Sequence, residues 1–506
     1  MQFQIAKELD RNVTERWRKL TNLYIENSFE IPSLNTEIET REIQGRNGFI
    51  LGESKVNGYN FSIPFVYVNH ENEPYQDIVN KLVEHFTIGE EVRLRFDNEY
   101  WYWLVRFHGT IQFKQRTQGY VEFELNCLIT DPFKHSNELF NTISEADHLT
   151  IYNQGTAPTY PVFTATAKKN ATMLMISKAD EDYFMIGESE DTEKATKDLT
   201  PYKFNDEFNN GTFRGWNYTA NGWDYGTALD GGDASGGRFS FNPNSIYVSN
   251  WGEAPKTNWH GASIQKGIGE SLQDFSMRFK IQVRGKQHGA GKTFTYLYDE
   301  QNRLVFSVGY ADTATSSNMG AVVVNAYNRF GDSKRIFTRH MAGSDKRLDR
   351  LAVFMHLERK GKRIKITTYN YDDLDSRNTK RRTVVRNRVT KTYNDTQEAY
   401  QSKVRVMHIY QAKNKNREDF QRQLILGISI QQLLPANSND TPYIIKKGDE
   451  IVIDNHNNYI SINEEPMTHL KDFGSNYYSI DPNLTEIFIL PENSFEIQCE
   501  WRNRFY

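Results

Sequence analysis

Residues 202–434 constrain the fold of this chain more than any other part. Short segments of alternating apolar and polar residues follow one another there, at 276–283, 294–298, 304–310, 321–327, 352–358, 363–369, 404–410 and 424–431. Turn residues separate them, and helical periodicity is almost absent. A period of two gives each segment one face for a core and one for water. Many such strands in succession form a β-sandwich or jelly roll. No motif returns at a fixed period, which argues against a solenoid or propeller.

The flanks read differently. Residues 1–135 form an α+β unit. Strands are expected at 36–43 and 60–68, with a two-glycine turn, Gly45-Arg46-Asn47-Gly48, between them. Ile78, Val79, Leu82, Val83 and Phe86 recur at helical spacing, which predicts an amphipathic helix over 75–86. Strands at 91–96 and 100–107 surround Asp97-Asn98-Glu99, and Trp101 and Trp103 share one strand face. Another strand, 120–128, runs into Thr130-Asp131-Pro132-Phe133.

A second unit starts at about residue 145. Turn-rich residues 153–161 feed strands at 162–167, 172–177 and 183–187. After the linker at 435–439 the earlier style returns. A turn at 447–450 precedes a strand at 451–454, and strands at 486–490 and 495–501 are joined by Pro491-Glu492-Asn493. Residues 145–201 and 437–506 are each too short for a sandwich, but together they reach ~130 residues, an ordinary domain size. The expected organisation is therefore 1–135, a discontinuous 145–201 plus 437–506, and an insertion at 202–436. Long insertions at loop tips cost little, because closure entropy grows slowly with length.

Bulk properties narrow the function. A net charge of −4 over 506 residues supplies no global field toward nucleic acid or an acidic membrane. The two cysteines, Cys127 and Cys499, make neither a disulfide framework nor a zinc cluster and read as buried thiols. The N-terminus has no signal-type apolar core and no stretch suits a membrane span, so a soluble protein made in a cytoplasm is expected.

Four stretches carry a family resemblance: the Gly45–48 turn, the strand from Cys127 to Asp131-Pro132-Phe133, Gly155-Thr156-Ala157-Pro158-Thr159-Tyr160-Pro161, and the C-terminal pair of strands closed by Trp501-Arg502-Asn503-Arg504-Phe505. In this order they resemble the distal tail (Dit-type) proteins of siphophages. One departure is that Glu492 follows Pro491 directly, where the family usually has an intervening glycine. The resemblance implies a first domain that assembles as a homohexameric ring and a galectin-like β-sandwich as the second domain. It further implies a hub linking the tail tube to the tail tip or baseplate, at the distal end of the tail in the virion. Tail tube protein, tape measure protein and tail-associated lysin or other tip proteins are the implied partners. Enlarged members of the family carry an inserted carbohydrate-binding module.

The insertion suits that role. Phe204-Asn205-Asp206-Glu207-Phe208-Asn209 resembles the opening strand of concanavalin-like jelly rolls. Trp216, Tyr218, Trp223 and Tyr225 follow, then Trp251 and Trp259, interleaved with Asn217, Asn221, Asp224, Asp233, Asn258 and His260. Sugars need flat aromatic platforms for their C–H faces and directional donors and acceptors for their hydroxyls. Host cell-wall saccharide or teichoic acid is the expected ligand. Trp216, Tyr218, Trp223, Asp224, Tyr225, Trp251 and Trp259 are the candidate contacts, with Trp216 and Trp223 first. Aromatics of a sandwich more often fill its core, and that reading stands beside the functional one.

No cofactor or metal is expected. Asp224, Asp230 and Asp233 lack the D-x-[DN]-x-[DN]-G spacing of a calcium loop and read as turn aspartates. The basic stretch 377–388 could hold an anionic polymer, but a solvated hairpin is the plainer account and no specific nucleic-acid binding is expected. Gly289-Ala290-Gly291-Lys292-Thr293 lacks the first glycine of a phosphate loop. A glycosidase would need two converging carboxylates. Asp206 and Glu207 are adjacent, so in a strand they point to opposite faces. A non-enzymatic hub with an adhesion module is the leading reading, and a tail-borne glycan-degrading or glycan-modifying enzyme the runner-up.

Overall fold

The computed structural model describes residues 3–7, 17, 19–45, 47–87, 91–96, 99–117, 119–178, 182–189, 194–209, 211, 213, 215–226, 229–253, 256–284, 289–313, 320–341, 351–372, 385–416, 422–437 and 439–506. The chain divides into two compact units, Met1–Ser189 with Ile444–Tyr506, and Glu190–Tyr443.

In the first unit a sheet runs in the order Phe3–Lys7, Val92–Phe96, Trp101–His108, Tyr120–Ile129, Tyr59–Val68, Leu23–Ile25. The helix Tyr75–Phe86 buries Ile78, Leu82 and Phe86, one stripe at four-residue spacing, against Phe65 and Phe123. Each of these side chains contributes roughly 1.5–3 kcal/mol by leaving water. Asp77 in the first turn and His85 in the last suit the helix dipole. The expected strand at 36–43 is Asn35–Glu42, and it pairs with Phe49–Asn57 in a two-stranded sheet of its own. Gly45 and Gly48 turn the hairpin at φ +85 and +91, a region that disfavours side chains. Arg46 of that turn, and Asp97 and Asn98 of the other, lie outside the described residues.

A sandwich completes this unit. One sheet orders Phe140–Ile143, Phe495–Trp501, Val162–Ala167, Glu450–Asp454, Tyr459–Ile462, Glu465–Pro466. The other orders His148–Asn153, Asn483–Leu490, Met173–Lys178, Tyr183–Gly187. Phe495, Ile497, Cys499 and Trp501 alternate inward against Phe163, Ile453 and Ile487. Both sheets thus pair strands from before the insertion with strands after it. Cys127 and Cys499 are buried and unbridged.

The three motifs around Asp131, Gly155 and Arg504 meet at one clasp. Arg504 donates from Nη2 to Asp131 Oδ1 at 2.6 Å and from Nη1 to the Pro158 carbonyl at 2.9 Å. The Arg504 carbonyl accepts the Thr156 and Ala157 amides at 2.9 and 3.0 Å. A Cβ on Gly155 would sit 2.3 Å from that carbonyl, so the close approach requires glycine. The second oxygen of Asp131 meets His135 Nε2 at 3.0 Å. Burial opposes ionisation of Asp131, but the His135 hydrogen bond and the His135 and Arg504 charges outweigh it and hold the carboxyl well below its ordinary range.

A depressed folded-state pKa means the ionised group stabilises the fold above its unfolded pKa, and that this stability is lost as pH falls through the folded one. We therefore expect the first unit's melting temperature to drop progressively below ~pH 5, where an unfolded aspartate begins to protonate. Asp131→Asn should flatten that part of the profile, which thermal denaturation from pH 6 to 2 would measure. An unchanged acid slope in the variant would show that the clasp does not contribute.

The second unit is a two-sheet jelly-roll sandwich. One sheet orders Arg238–Asn242, Ser245–Asn250, Gln423–Gln432, Phe275–Val283, Leu351–Lys360, Arg363–Asp372, Val385–Asn394, with Tyr202–Asp206 beside Gln423–Gln432. The other orders Asp224–Tyr225, Gly232–Ala234, Trp259–Leu272, Val404–Asn414, Gly291–Tyr298, Leu304–Asp312, Ala321–Tyr327, Ser333–His340. Met277, Phe279, Ile281, Val353 and Ile366 of the first sheet face Ile264, Val308, Val322, Val324 and Ile409 of the second. The unit begins at Glu190 and ends at Tyr443, wider than the expected 202–436, because Ala195–Lys197 and Asp440–Pro442 pair in parallel within it.

Several strands here were not expected; the longest are Trp259–Leu272, Ser333–His340 and Val385–Asn394. Gly261, Gly267 and Gly269 break the alternation of the first. Of the basic stretch 377–388, residues up to 384 lie outside the described residues, and the rest opens the strand Val385–Asn394.

Candidate functional site

The structure divides the seven candidate residues into buried and accessible sets. Trp216, expected to lead, is 4% exposed and packs in the sandwich core beside Phe204 and Phe208. Its indole N–H donates to Asp206 Oδ2 at 2.8 Å. Tyr225 is likewise buried, stacked on Tyr410 with its hydroxyl 3.1 Å from His408 Nδ1. Both are corrected from ligand platform to core. Trp216 is covered and hydrogen-bonded from the nearby segment 204–208, whereas Tyr225 is covered by strands distant in sequence that carry Tyr296, His408 and Tyr410.

The face of the second sheet turned away from the core explains Tyr225. It presents Phe294, Tyr296, Tyr298, Tyr410 and Ala412, and Trp223, Tyr225, Leu229 and Ala234 pack against it. Asp230 fastens that cover. Its carboxylate accepts Ser307 Oγ at 2.6 Å and also the Tyr327 hydroxyl, while its carbonyl accepts the Tyr296 hydroxyl. Asp233 is buried too, and its Oδ1 accepts both the amide and the hydroxyl of Thr257 at 2.8 Å. These aspartates hold loops down. Among the described residues no group of His, Cys, Asp or Glu is arranged to hold a metal ion.

The remaining candidates are accessible. Trp223 is half-buried at the cover's edge, its N–H donating to the Tyr298 hydroxyl at 3.1 Å. Asp224 beside it is exposed. Tyr218 is half-buried under the Arg238 guanidinium, 4.3 Å from the ring centre, and its hydroxyl accepts the Phe239 amide. Trp251 and Trp259 are half-buried where several strands end together. Ser245–Asn250 runs into Trp251, and Trp259 opens the strand that pairs it with Asn414. Trp259 is the first residue of a long strand.

Lysines that sequence reasoning did not select join these two tryptophans. Lys292 Nζ lies 4.2 Å from the Trp259 ring centre, and Lys413 Nζ 5.7 Å from that of Trp251. Burial pushes the Lys292 ammonium down to about 7, against the pull of the Asp230 charge. Lys413 lies beside His260 in the ladder, and the next exposed residue on its strand's far side is Lys415. Burial, partly offset by the Trp251 carbonyl, and the charges of Lys413 and Lys415 hold the His260 imidazole below its ordinary value. Lys256 is exposed on the neighbouring loop and donates to the Gly222 carbonyl at 2.9 Å. No sequence motif links Lys292 to Trp259 or Lys413 to Trp251; strand pairing places each, on opposite faces of the sheet.

Paired carboxylates of the hydrolytic kind do not arise from Asp206 and Glu207. Asp206 faces inward to Trp216 and Lys266, and Glu207 faces the other way to Arg278 and Lys280. Each is neutralised by its own cations on its own side of the strand, as adjacent strand positions require.

Comparison with known proteins supplies the context. Residues 19–129 match the family described as phage tail protein RIFT-related domain. Residues 437–505 match the C-terminal domain of the siphovirus-type tail component. No curated protein matches the chain. Among solved structures it is similar to the CBM2 module of an evolved Dit from Lactobacillus casei BL23 phage J-1, at 12% identity and TM-score 0.38 over 48% of this chain and 100% of that one. It is similar to the Dit protein of phage SPP1 at 14% identity and TM-score 0.30, over 38% of this chain and 76% of that one. A family 16 endo-glucanase from Bacteroides ovatus follows at 10% identity and TM-score 0.29, over 45% and 99%. Resemblances of this size say nothing about ligand or reaction.

Proposed function

We propose, from the premise that this chain is a siphovirus-type tail component of the distal tail (Dit) kind, that it forms a ring at the tail's distal end and carries a saccharide-binding insert. The two family matches at 19–129 and 437–505 carry the premise. The sandwich whose strands come from both sides of the insert supports it. A homohexamer in contact with tail tube, tape measure and tip proteins is the assembly this reading expects.

The hairpin Asn35–Glu42 with Phe49–Asn57 supports assembly. Thr36, Ile38, Thr40, Glu42, Phe49, Leu51, Ser54 and Val56 share one, mostly apolar face, while Glu37, Glu39, Arg41, Ile50 and Lys55 share the other. Phe49 is 62% and Leu51 73% exposed. A free two-stranded ribbon is marginal in water. A neighbouring copy laid on the apolar face would bury it. Light scattering should report a particle of six subunits; a strict monomer at high concentration would overturn this part.

For the insert, the accessible set Trp223, Asp224, Trp251 and Trp259 supports saccharide contact better than the buried Trp216 and Tyr225. Trp259→Ala should weaken binding of the full chain to host cell walls by ~10–100-fold, the ~1.4–3 kcal/mol scale of a lost aromatic contact. Sedimentation with purified walls would measure it, and wild-type affinity in the variant would remove Trp259 from the site. The opposed placement of Asp206 and Glu207 supports binding without hydrolysis. Release of reducing ends from wall polysaccharide by the intact protein would instead favour the tail-borne enzyme.

A further inference from the structure

We propose that the saccharide taken at the Trp251–Trp259 end of the insert is an anionic one, its carboxylate or phosphodiester groups meeting Lys256, Lys413 and Lys415. The inference rests on the saccharide-binding reading and names the ligand class that this rim selects.

The donors at this rim are ammonium groups, and an ammonium donates without accepting. Lys413 lies over the Trp251 ring, which so has a cation at its face, and the buried Lys292 amine lies over the Trp259 ring. Lys415 and Lys256 are exposed, and Asn416, next to Lys415, donates from Nδ2 to Asn258 Oδ1 at 3.5 Å. Among the described residues no carboxylate lies within ion-pair distance of Lys256, Lys292, Lys413 or Lys415. Among the described residues, Asp233 and Asp230 are buried and hold Thr257, Ser307 and Tyr327, while Asp224 and Glu253 are exposed.

A neutral sugar needs acceptors for its hydroxyl protons, and this rim offers few. An anionic sugar brings its own acceptors, and charge-assisted hydrogen bonds to lysine are the stronger kind. The apolar face of the same ring would rest on Trp251 or Trp259. Uronic acids and polyol phosphates share this chemistry. The overall charge of −4 does not oppose it, because screening confines the field to a local patch.

The test is calorimetric titration of the full chain with poly(glycerol phosphate), polygalacturonate and neutral dextran, at low and physiological salt. We expect at least one polyanion to bind tenfold or more tighter than dextran and to weaken steeply with salt. Lys413→Gln with Lys415→Gln should lower polyanion affinity at least tenfold and leave thermal stability unchanged. The preferred polyanion tells uronate from phosphodiester. Wall binding that is indifferent to salt and to both lysine substitutions would overturn the anionic assignment and leave saccharide binding standing. Failure to bind any wall or polymer would sink the saccharide reading itself.

Discussion

Phe49→Asp combined with Leu51→Asp should reduce the proposed ring to single, folded subunits. Both side chains lie on the apolar face of the Asn35–Glu42 and Phe49–Asn57 hairpin, opposite Glu42 and Thr40. Burying each against a neighbour would contribute roughly 1.5–3 kcal/mol, so the pair removes about 3–6 kcal/mol from every subunit contact. That corresponds to ~10²–10⁴-fold in each association constant. A buried carboxylate without a partner adds a further penalty. The subunit itself should remain folded, because these residues make no contribution to the core beneath them. Ile50→Asp is the control. Ile50 pairs with Arg41 on the charged face and should leave the ring intact. Mass by light scattering reads all three proteins. A ring that survives the double substitution would show that the hairpin is not the contact.

Trp216→Ala should unfold the insert's sandwich at far milder conditions, rather than act as a ligand-site variant. The ring is nearly inaccessible, packs against Phe204 and Phe208, and has Lys266 above it. Truncating a buried tryptophan costs about 3–5 kcal/mol through lost transfer energy and the cavity left behind. The loss also strips a hydrogen bond from Asp206, leaving it Lys266, 2.7 Å from its Oδ2, among the described residues. Trp216→Phe retains most of the volume, so its cost should be limited mainly to the N–H, ~1–2 kcal/mol. Denaturant titration followed by tryptophan emission, with the first unit's transition as internal reference, separates the two variants. If Trp216→Ala melts normally yet loses wall binding, the ring contacts ligand and its assignment to the core is wrong.

Much of this was legible in the sequence, for local reasons. Strands at 162–167, 183–187 and 495–501 form where alternation predicts, because each has one face on a core and period two records it directly. The helix at 75–86 is equally plain, since its apolar stripe repeats every turn. Where that signal failed, a physical cause is visible. Phe49–Asn57 has exposed residues on both faces and so carries weak alternation, and Trp259–Leu272 is interrupted by glycines. The closing aromatic-basic motif was legible as a resemblance, but not what Arg504 does. Its clasp on Asp131 and Pro158 spans more than 340 positions of chain.

The candidate site was legible only as a region. A dense run of Trp, Tyr, Gly and Asn marked residues 213–261, and local pattern determined that a β-sandwich lay there. Which rings face water was decided by tertiary pairing. Tyr410 and Tyr296 cover Tyr225, Phe204 and Phe208 cover Trp216, and Lys413 is brought beside Trp251 by a strand well over a hundred residues away. Alternation tells a strand which two faces it has. Only the strands and loops that come to lie on each face decide which of them is dry, and those partners are not its neighbours in sequence.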